Sequence, residues 1–233
     1  MWHLVRDGLT ARHRLITPDQ RGLGRTPLPE TDREASLDDA ARDVTALLDR
    51  LELEQVVLGG CSLGGYVTMA VLRAAPERVA GLVLIDTKAT ADAPEAAQAR
   101  RDLAERAESE GVSGWLADAM LPNLLSTETR ETRPDVVETV RGLIDSQSGA
   151  GVAWAARAMA NRPDSTDRLA DVDVPALVIV GQHDAVTPPD AAQAMAESLP
   201  SGELVVVPQA GHLTPLEAPA MVTEAILGWW PFP

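Results

Sequence analysis

Six consecutive residues, Gly60-Cys61-Ser62-Leu63-Gly64-Gly65, stand where a β-like run, Gln55–Gly60, gives way to a helical run, Leu63–Ala75. A serine on so tight a strand-to-helix turn needs small residues two positions to either side, and Gly60 and Gly64 occupy those places. The turn would lift the hydroxyl above the strand end and set it at a helix N-terminus. There the helix dipole and the N–H of Leu63 can stabilise an oxyanion. A bare Gly-x-Ser-x-Gly arises often by chance; the strand before it and the helix after it make it specific. Cys61 is a competing nucleophile, but it holds the variable position and reads as a small buried residue.

A serine attacks only when a base takes its proton, and the base needs a carboxylate to orient it. Of the four histidines, His3, His13, His183 and His212, only His212 lies on a loop just after the last strand, in Pro208-Gln209-Ala210-Gly211-His212. His3 and His13 read as surface or helix-packing residues. Two acids compete to orient His212. Asp184 follows the apolar run Ala176–Val180, with Thr187-Pro188 behind it, and Asp86 ends the run Leu82–Asp86. The chain order Ser62, Asp184, His212 favours Asp184.

The elements that must carry these residues alternate β-like and helical runs, the pattern of a mostly parallel sheet with helices on both faces. Expected strands are His13–Thr17, Gln55–Gly60, Gly81–Asp86, Pro175–Gly181 and Glu203–Val207. Ser36 is a good N-cap for an amphipathic helix over Leu37–Leu51, and a final helix covers about Pro219–Trp230. From Thr87 to about Arg168 strands vanish. Helices are expected near Pro94–Gly111, Ser113–Leu125, Pro134–Gln147 and Ala150–Asn161, with interruptions at Gly111, Pro122 and Pro134. This divides the chain into a core, residues 1–87 and 166–233, and an all-helical cap, residues 88–165, inserted after the strand ending near Asp86. Trp115, Met120, Leu121, Trp154 and Met159 of the cap could line a pocket, although apolar residues at helical spacing are more often core.

Length and composition suit one globular domain: 233 residues, 45% apolar and 24% charged, with only 3% aromatic, so that aliphatic packing dominates. A net charge of −15 argues against nucleic acid and anionic membrane surfaces as partners. A single cysteine forms no internal disulfide and is too little for a zinc cluster. With no secretory pattern at Met1 and no apolar run near the ~18 residues that span a bilayer, a cytoplasmic protein is expected. No P-loop or dinucleotide fingerprint is present, and Gly22-Leu23-Gly24 alone is a turn.

Four motifs in order now carry a family resemblance over nearly the whole chain. Pro18–Thr26 resembles the loop after the fourth strand of α/β-hydrolases, Gly60–Gly65 their nucleophile turn, Gly181–Pro188 their acid loop, and Gly211–Glu217 their histidine loop. The nearest subgroup is that of small esterases and lactonases of the 3-oxoadipate enol-lactonase type, with cofactor-free haloperoxidases nearby. The resemblance implies an α/β-hydrolase that cleaves a small carboxylic ester or lactone with the triad Ser62, Asp184 and His212, needing no metal or other cofactor, as a monomer or homodimer. Perhydrolysis through the same triad is the alternative. A dehalogenase or epoxide hydrolase would carry a carboxylate at position 62.

The sequence departs from that family at its start. Members begin with two strands and then a third that ends in a His-Gly loop supplying one oxyanion N–H, whereas Met1-Trp2-His3-Leu4-Val5 already resembles the helix after that loop. By this measure about 25 to 30 residues precede Met1 in a full-length member. The third strand would lie between His13–Thr17 and Gln55–Gly60. The expectation is that Met1 is internal to a longer reading frame, and the alternatives are a sheet closed differently or an inactive fragment.

Overall fold

The structure, a computed structural model, describes residues 1–230 and 232. Its elements run α1 (His3–Thr10), α2 (Leu37–Arg50), β1 (Val56–Cys61), α3 (Leu63–Ala74) and β2 (Val79–Ile85). Six helices follow without a strand: α4 (Pro94–Glu110), α5 (Leu116–Leu124), α6 (Thr127–Thr132), α7 (Pro134–Asp145), α8 (Gly149–Ala160) and α9 (Thr166–Leu169). The chain then returns to β3 (Ala176–Gly181), α10 (Pro189–Ser198), β4 (Gly202–Val207), α11 (Thr214–Glu217) and α12 (Pro219–Trp229).

The four strands form one all-parallel sheet in the order β1-β2-β3-β4. Strands covered on both faces read as continuous apolar runs, and β3, Ala-Leu-Val-Ile-Val-Gly, is buried at every residue. The period of two sorts the side chains cleanly. Leu82 and Leu84 of β2, with Ala176, Val178 and Val180 of β3, pack on one side against α2, α3 and α10. Val83, Ile85, Leu177 and Ile179 face the other side, against α1, α12, α5 and α7.

His13–Thr17 is not a strand. Residues 14–20 run without regular structure, and β1 has a ladder on β2 alone. A strand is defined by its backbone partner, and among the described residues this segment is paired with none. Its apolar residues suit a pleat, but no N–H or C=O is there to pair with it. The sheet edge shows the same thing: Val56, Val57 and Leu58 of β1 are only half-buried, and Gly59 is exposed.

Residues 88–165 hold helices and loops only. Here α4 packs on α8 through small residues, Ala104 and Ala107 against Ala153 and Ala156. A Cβ on Gly149 would come within 2.2 Å of the Ala107 carbonyl oxygen, so the close approach of the helices excludes any side chain there. Gly111, at φ 74°, ends α4, and Pro134 opens α7. Pro122 lies inside α5 instead of interrupting it. Helix α8 also reaches the sheet: Trp154, Ala155 and Ala158 join the cluster of Tyr66 and Leu82. Among the described residues, no helix is long and apolar enough to cross a membrane.

Candidate active site

Three chain segments meet above the C-terminal ends of the strands. The first is the turn from β1 into α3, where Ser62 stands at φ 51°, ψ −113°, a strained backbone for a residue with a side chain. It is held there from both sides. Ser62 N donates to Ile85 O at 2.9 Å, extending the β1–β2 ladder, while its carbonyl accepts from Gly65 N, Tyr66 N and the Thr87 hydroxyl. The turn is tight enough that a Cβ on Gly60 would lie 2.1 Å from the Gly64 carbonyl carbon. A Cβ on Gly65 would strike the Thr87 side chain at 2.5 Å. Gly64 departs from the expected requirement: its own Cβ would meet only Gln20 Nε2, at 3.9 Å. The glycine constraint therefore falls on positions 60 and 65.

The second segment is the loop after β3. Asp184, 3% exposed, folds into an Asx-type turn in which Oδ1 accepts from Val186 N at 2.8 Å and Thr187 N at 2.9 Å. Oδ2 accepts from Thr187 Oγ1 at 2.7 Å. The third is the loop after β4, which carries His212, 1% exposed. Its Nδ1 is 2.8 Å from Asp184 Oδ2, and its Nε2 is 2.8 Å from Ser62 Oγ. A carboxylate at Nδ1 fixes the tautomer: Nδ1–H donates to Asp184, leaving Nε2 to accept from the Ser62 hydroxyl. Burial pushes the Asp184 carboxyl upward, but His212 and the two donors of Thr187 outweigh it and hold it below the ordinary carboxylate range.

The structure thus brings Ser62, Asp184 and His212 into one hydrogen-bonded chain, with Leu63 as first residue of α3, where an N–H has no acceptor within its own helix. The loops are fastened to one another by His183 N donating to Ala210 O at 2.8 Å. A Cβ on Gly181 would lie 1.9 Å from the Gly211 carbonyl oxygen, so the end of β3 passes directly beneath the histidine loop.

Asp86, the rival acid, does not reach the imidazole. It is fully buried and accepts from Gly181 N at 3.1 Å, Thr214 N at 2.9 Å and Thr214 Oγ1 at 2.8 Å, tying both loops to the end of β2. Burial pushes its carboxyl well above the ordinary range, against the pull of those hydrogen bonds. Burial, and after it the charges of Asp86 and Asp184, push the neighbouring Cys61 thiol up as well. A buried thiol held protonated is no competitor to Ser62. Of the other histidines, His13 stacks on Trp230 with ring centroids 3.9 Å apart, and His3 and His183 are exposed.

Sequence reasoning missed two residues of this site. Thr187 touches both Asp184 and His212, at 3.3 Å from Nδ1, and its signal was the Asp-x-x-Thr spacing that Asx turns favour. Thr214 had no comparable signal, because its partner Asp86 lies 128 residues away. The five apolar residues weighed as a pocket lining do not converge. Leu121 belongs to the cluster under α12, Trp115 and Met120 to the α4–α8 cluster, and Trp154 and Met159 to the cluster around α3.

This architecture and this placement of loops define a family. The family model of the α/β hydrolase fold matches residues 1–219, and the chain belongs to that family. Among solved structures, it is similar to a thermophilic esterase from Thermogutta terrifontis, at 44% identity and a TM-score of 0.94, covering 98% of this chain and 83% of that one. It is similar too to the enol-lactonase from Burkholderia xenovorans, at 26% identity and a TM-score of 0.88, covering 98% and 85% of the two chains. Among curated proteins, 3-oxoadipate enol-lactonase 2 of Acinetobacter baylyi is 27% identical over 226 residues, which cover 97% of this chain and 82% of that protein. The protein is an α/β-hydrolase enzyme, and esterases and lactonases are among the proteins to which it is similar.

Proposed function

We propose that the protein is a serine hydrolase that cleaves a small carboxylic ester or lactone through an acyl-enzyme on Ser62, with His212 as base and Asp184 as its orienting carboxylate. The observation that carries this reading is the unbroken chain Asp184 Oδ2, His212, Ser62 Oγ, with both contacts at 2.8 Å, ending on a serine in strained backbone at a helix N-terminus. As Oγ bonds to the substrate carbonyl carbon, the hydroxyl proton passes to Nε2 and the carbonyl electrons move onto oxygen. The Leu63 N–H, at the positive end of α3, faces that oxyanion. Collapse expels the alkoxide, which takes the proton back from Nε2; a lactone simply opens, its hydroxyl staying on the acyl chain. Water, deprotonated by His212, then attacks the ester of Ser62, and collapse frees the acid as Ser62 Oγ takes the proton back from Nε2. No step needs a metal or a cofactor.

The ester or lactone class draws support from the Thermogutta esterase and the enol-lactonases to which the chain is similar. Residues 88–165 act as a cap in this reading, supported by the bond from His212 N to Leu124 O at 3.0 Å, which places the helical segment directly on the histidine loop. The test is labelling of the purified chain with a fluorophosphonate, the adduct being located by peptide mass spectrometry, followed by a panel of short-chain esters and lactones. Labelling at Ser62 that is absent in both S62A and H212A is expected. A folded chain that takes no label refutes the reading.

A further inference from the structure

Glu217 is a carboxylate sunk to 9% exposure at the end of α11, and all its partners are backbone N–H groups. Oε1 accepts from Gly211 N at 2.9 Å and Leu213 N at 3.2 Å, the two residues that flank His212. Oε2 accepts from Ser126 N at 2.9 Å, in the joint between α5 and α6. Between those two flanking bonds, His212 N donates to the carbonyl of Leu124, the last residue of α5 before that joint. All three successive N–H groups of residues 211–213 are therefore pinned, two by Glu217 and one by the helical segment. The joint and the loop meet backbone to backbone, for a Cβ on Gly211 would lie 2.5 Å from Ser126 N. Among the described residues no cation faces Glu217, so its charge is met by aligned amide dipoles, the stronger, charge-assisted kind of hydrogen bond.

We propose that Glu217 is a positioning residue for the reaction: it sets the height and ring direction of His212 by gripping the backbone on both sides, and through Ser126 it couples that geometry to the seating of the helical segment. The proposal deepens the reading of Ser62, His212 and Asp184 as a triad and rests on it. An imidazole carried on a loop of short turns keeps a 2.8 Å reach to Ser62 only while the loop holds one conformation. Asp184 fixes the ring's far nitrogen but not the backbone beneath it. Glu217 supplies that second constraint, and it does so from the same carboxylate that receives the joint between α5 and α6. Displacement of that joint would move the histidine with it.

Two substitutions test the idea from opposite ends. E217Q keeps the side-chain shape but turns one acceptor into an N–H₂ group facing a backbone donor. S126P deletes the N–H given to Oε2, at a position whose φ of −60° suits proline and whose preceding residue is extended. S126A is the control: it loses the hydroxyl that caps α6 but keeps the N–H. The readouts are the rate of fluorophosphonate labelling at Ser62, kcat and KM for p-nitrophenyl acetate, and the thermal melt. We expect E217Q and S126P to stay folded and slow labelling ~10- to 100-fold, as misplacement of a catalytic group does. We expect kcat to fall with KM nearly unchanged, and S126A to match the wild type. Folded E217Q that labels at the wild-type rate overturns the proposal, as does S126A slowing as much as S126P. Loss of folding in both E217Q and S126P would make Glu217 a structural residue and overturns it too. Failure of the underlying triad reading looks different: the folded wild type itself would take no label at Ser62.

Discussion

Replacing Asp184 by asparagine asks how much of the site depends on one oxygen. In the native arrangement Oδ1 receives two backbone donors, Val186 N and Thr187 N, while Oδ2 receives the Thr187 hydroxyl and His212 Nδ1–H. An asparagine has one oxygen to offer. With that oxygen toward the two backbone N–H groups, the new amide N–H₂ faces His212 and donates to Nδ1. The imidazole must then carry its proton on Nε2, where it can no longer accept from Ser62. The productive tautomer returns only when the amide flips and presents its N–H₂ to two N–H donors, the buried one of Thr187 and the half-buried one of Val186. Each donor left unsatisfied costs about 1–3 kcal/mol, so the flip costs ~2–6 kcal/mol. At ~1.36 kcal/mol per decade, D184N should lose between ~30-fold and ~10⁴-fold in the rate of acyl transfer. The assay is pseudo-first-order labelling of Ser62 by a fluorophosphonate, run beside p-nitrophenyl acetate turnover and circular dichroism. D184N that is folded and labels within about threefold of the wild type would show that Asp184 does not set the tautomer, and the reasoning would fail.

Other expectations follow from the same contacts. T187V removes the donor to Asp184 Oδ2 together with the 3.3 Å contact to His212 Nδ1, and should slow labelling ~10-fold while the melt shifts little, which parallel rate and melting measurements would read. G60A drives a Cβ into the Gly64 backbone and should cost ~3 kcal/mol or more, whereas G64A meets only a flexible glutamine end and should match or exceed the wild type in chemical denaturation. The Asp92 side chain is 2% exposed and paired with Arg162, Arg100 and Lys88. Opposed by burial, those hydrogen bonds and charges still hold its carboxyl far below the usual range. A carboxyl depressed in the folded state contributes its stability above its unfolded pKa of ~3.9 and loses it as pH falls below that value. D92N should therefore melt below the wild type by an amount that is constant from about pH 5 to 8 and shrinks in more acid solution, as thermal melts across pH would read.

What the sequence determined by itself is which residues are candidates for chemistry and the coarse order of elements. A serine between glycines at a strand-to-helix junction, an acid after one apolar run and a histidine after the next are local patterns, which is why Ser62, Asp184 and His212, the three residues that the structure links by hydrogen bonds, stand out as candidates. Likewise β2 and β3 announce themselves as continuous apolar runs, because burial on both faces needs nothing beyond the run itself. The helix α10, opening at Pro189, has a readable start in Pro188-Pro189, but its alanine-rich run gives only a weak amphipathic signal. Tertiary structure decided the rest, wherever the cause lies on another segment. His13–Thr17 has strand-like residues and no strand, because pairing belongs to a partner and not to a run. Gly65 is required by Thr87, and Gly64, though it sits in the motif, is not constrained by packing. The choice between Asp86 and Asp184 was made in space, by which carboxylate reaches Nδ1 and which is taken up by Thr214 and Gly181. The grip of Glu217 on residues 211 and 213 and on Ser126, 91 residues away, arises only when the loops are stacked, since a hydrogen bond across that separation leaves no periodicity for a sequence to display.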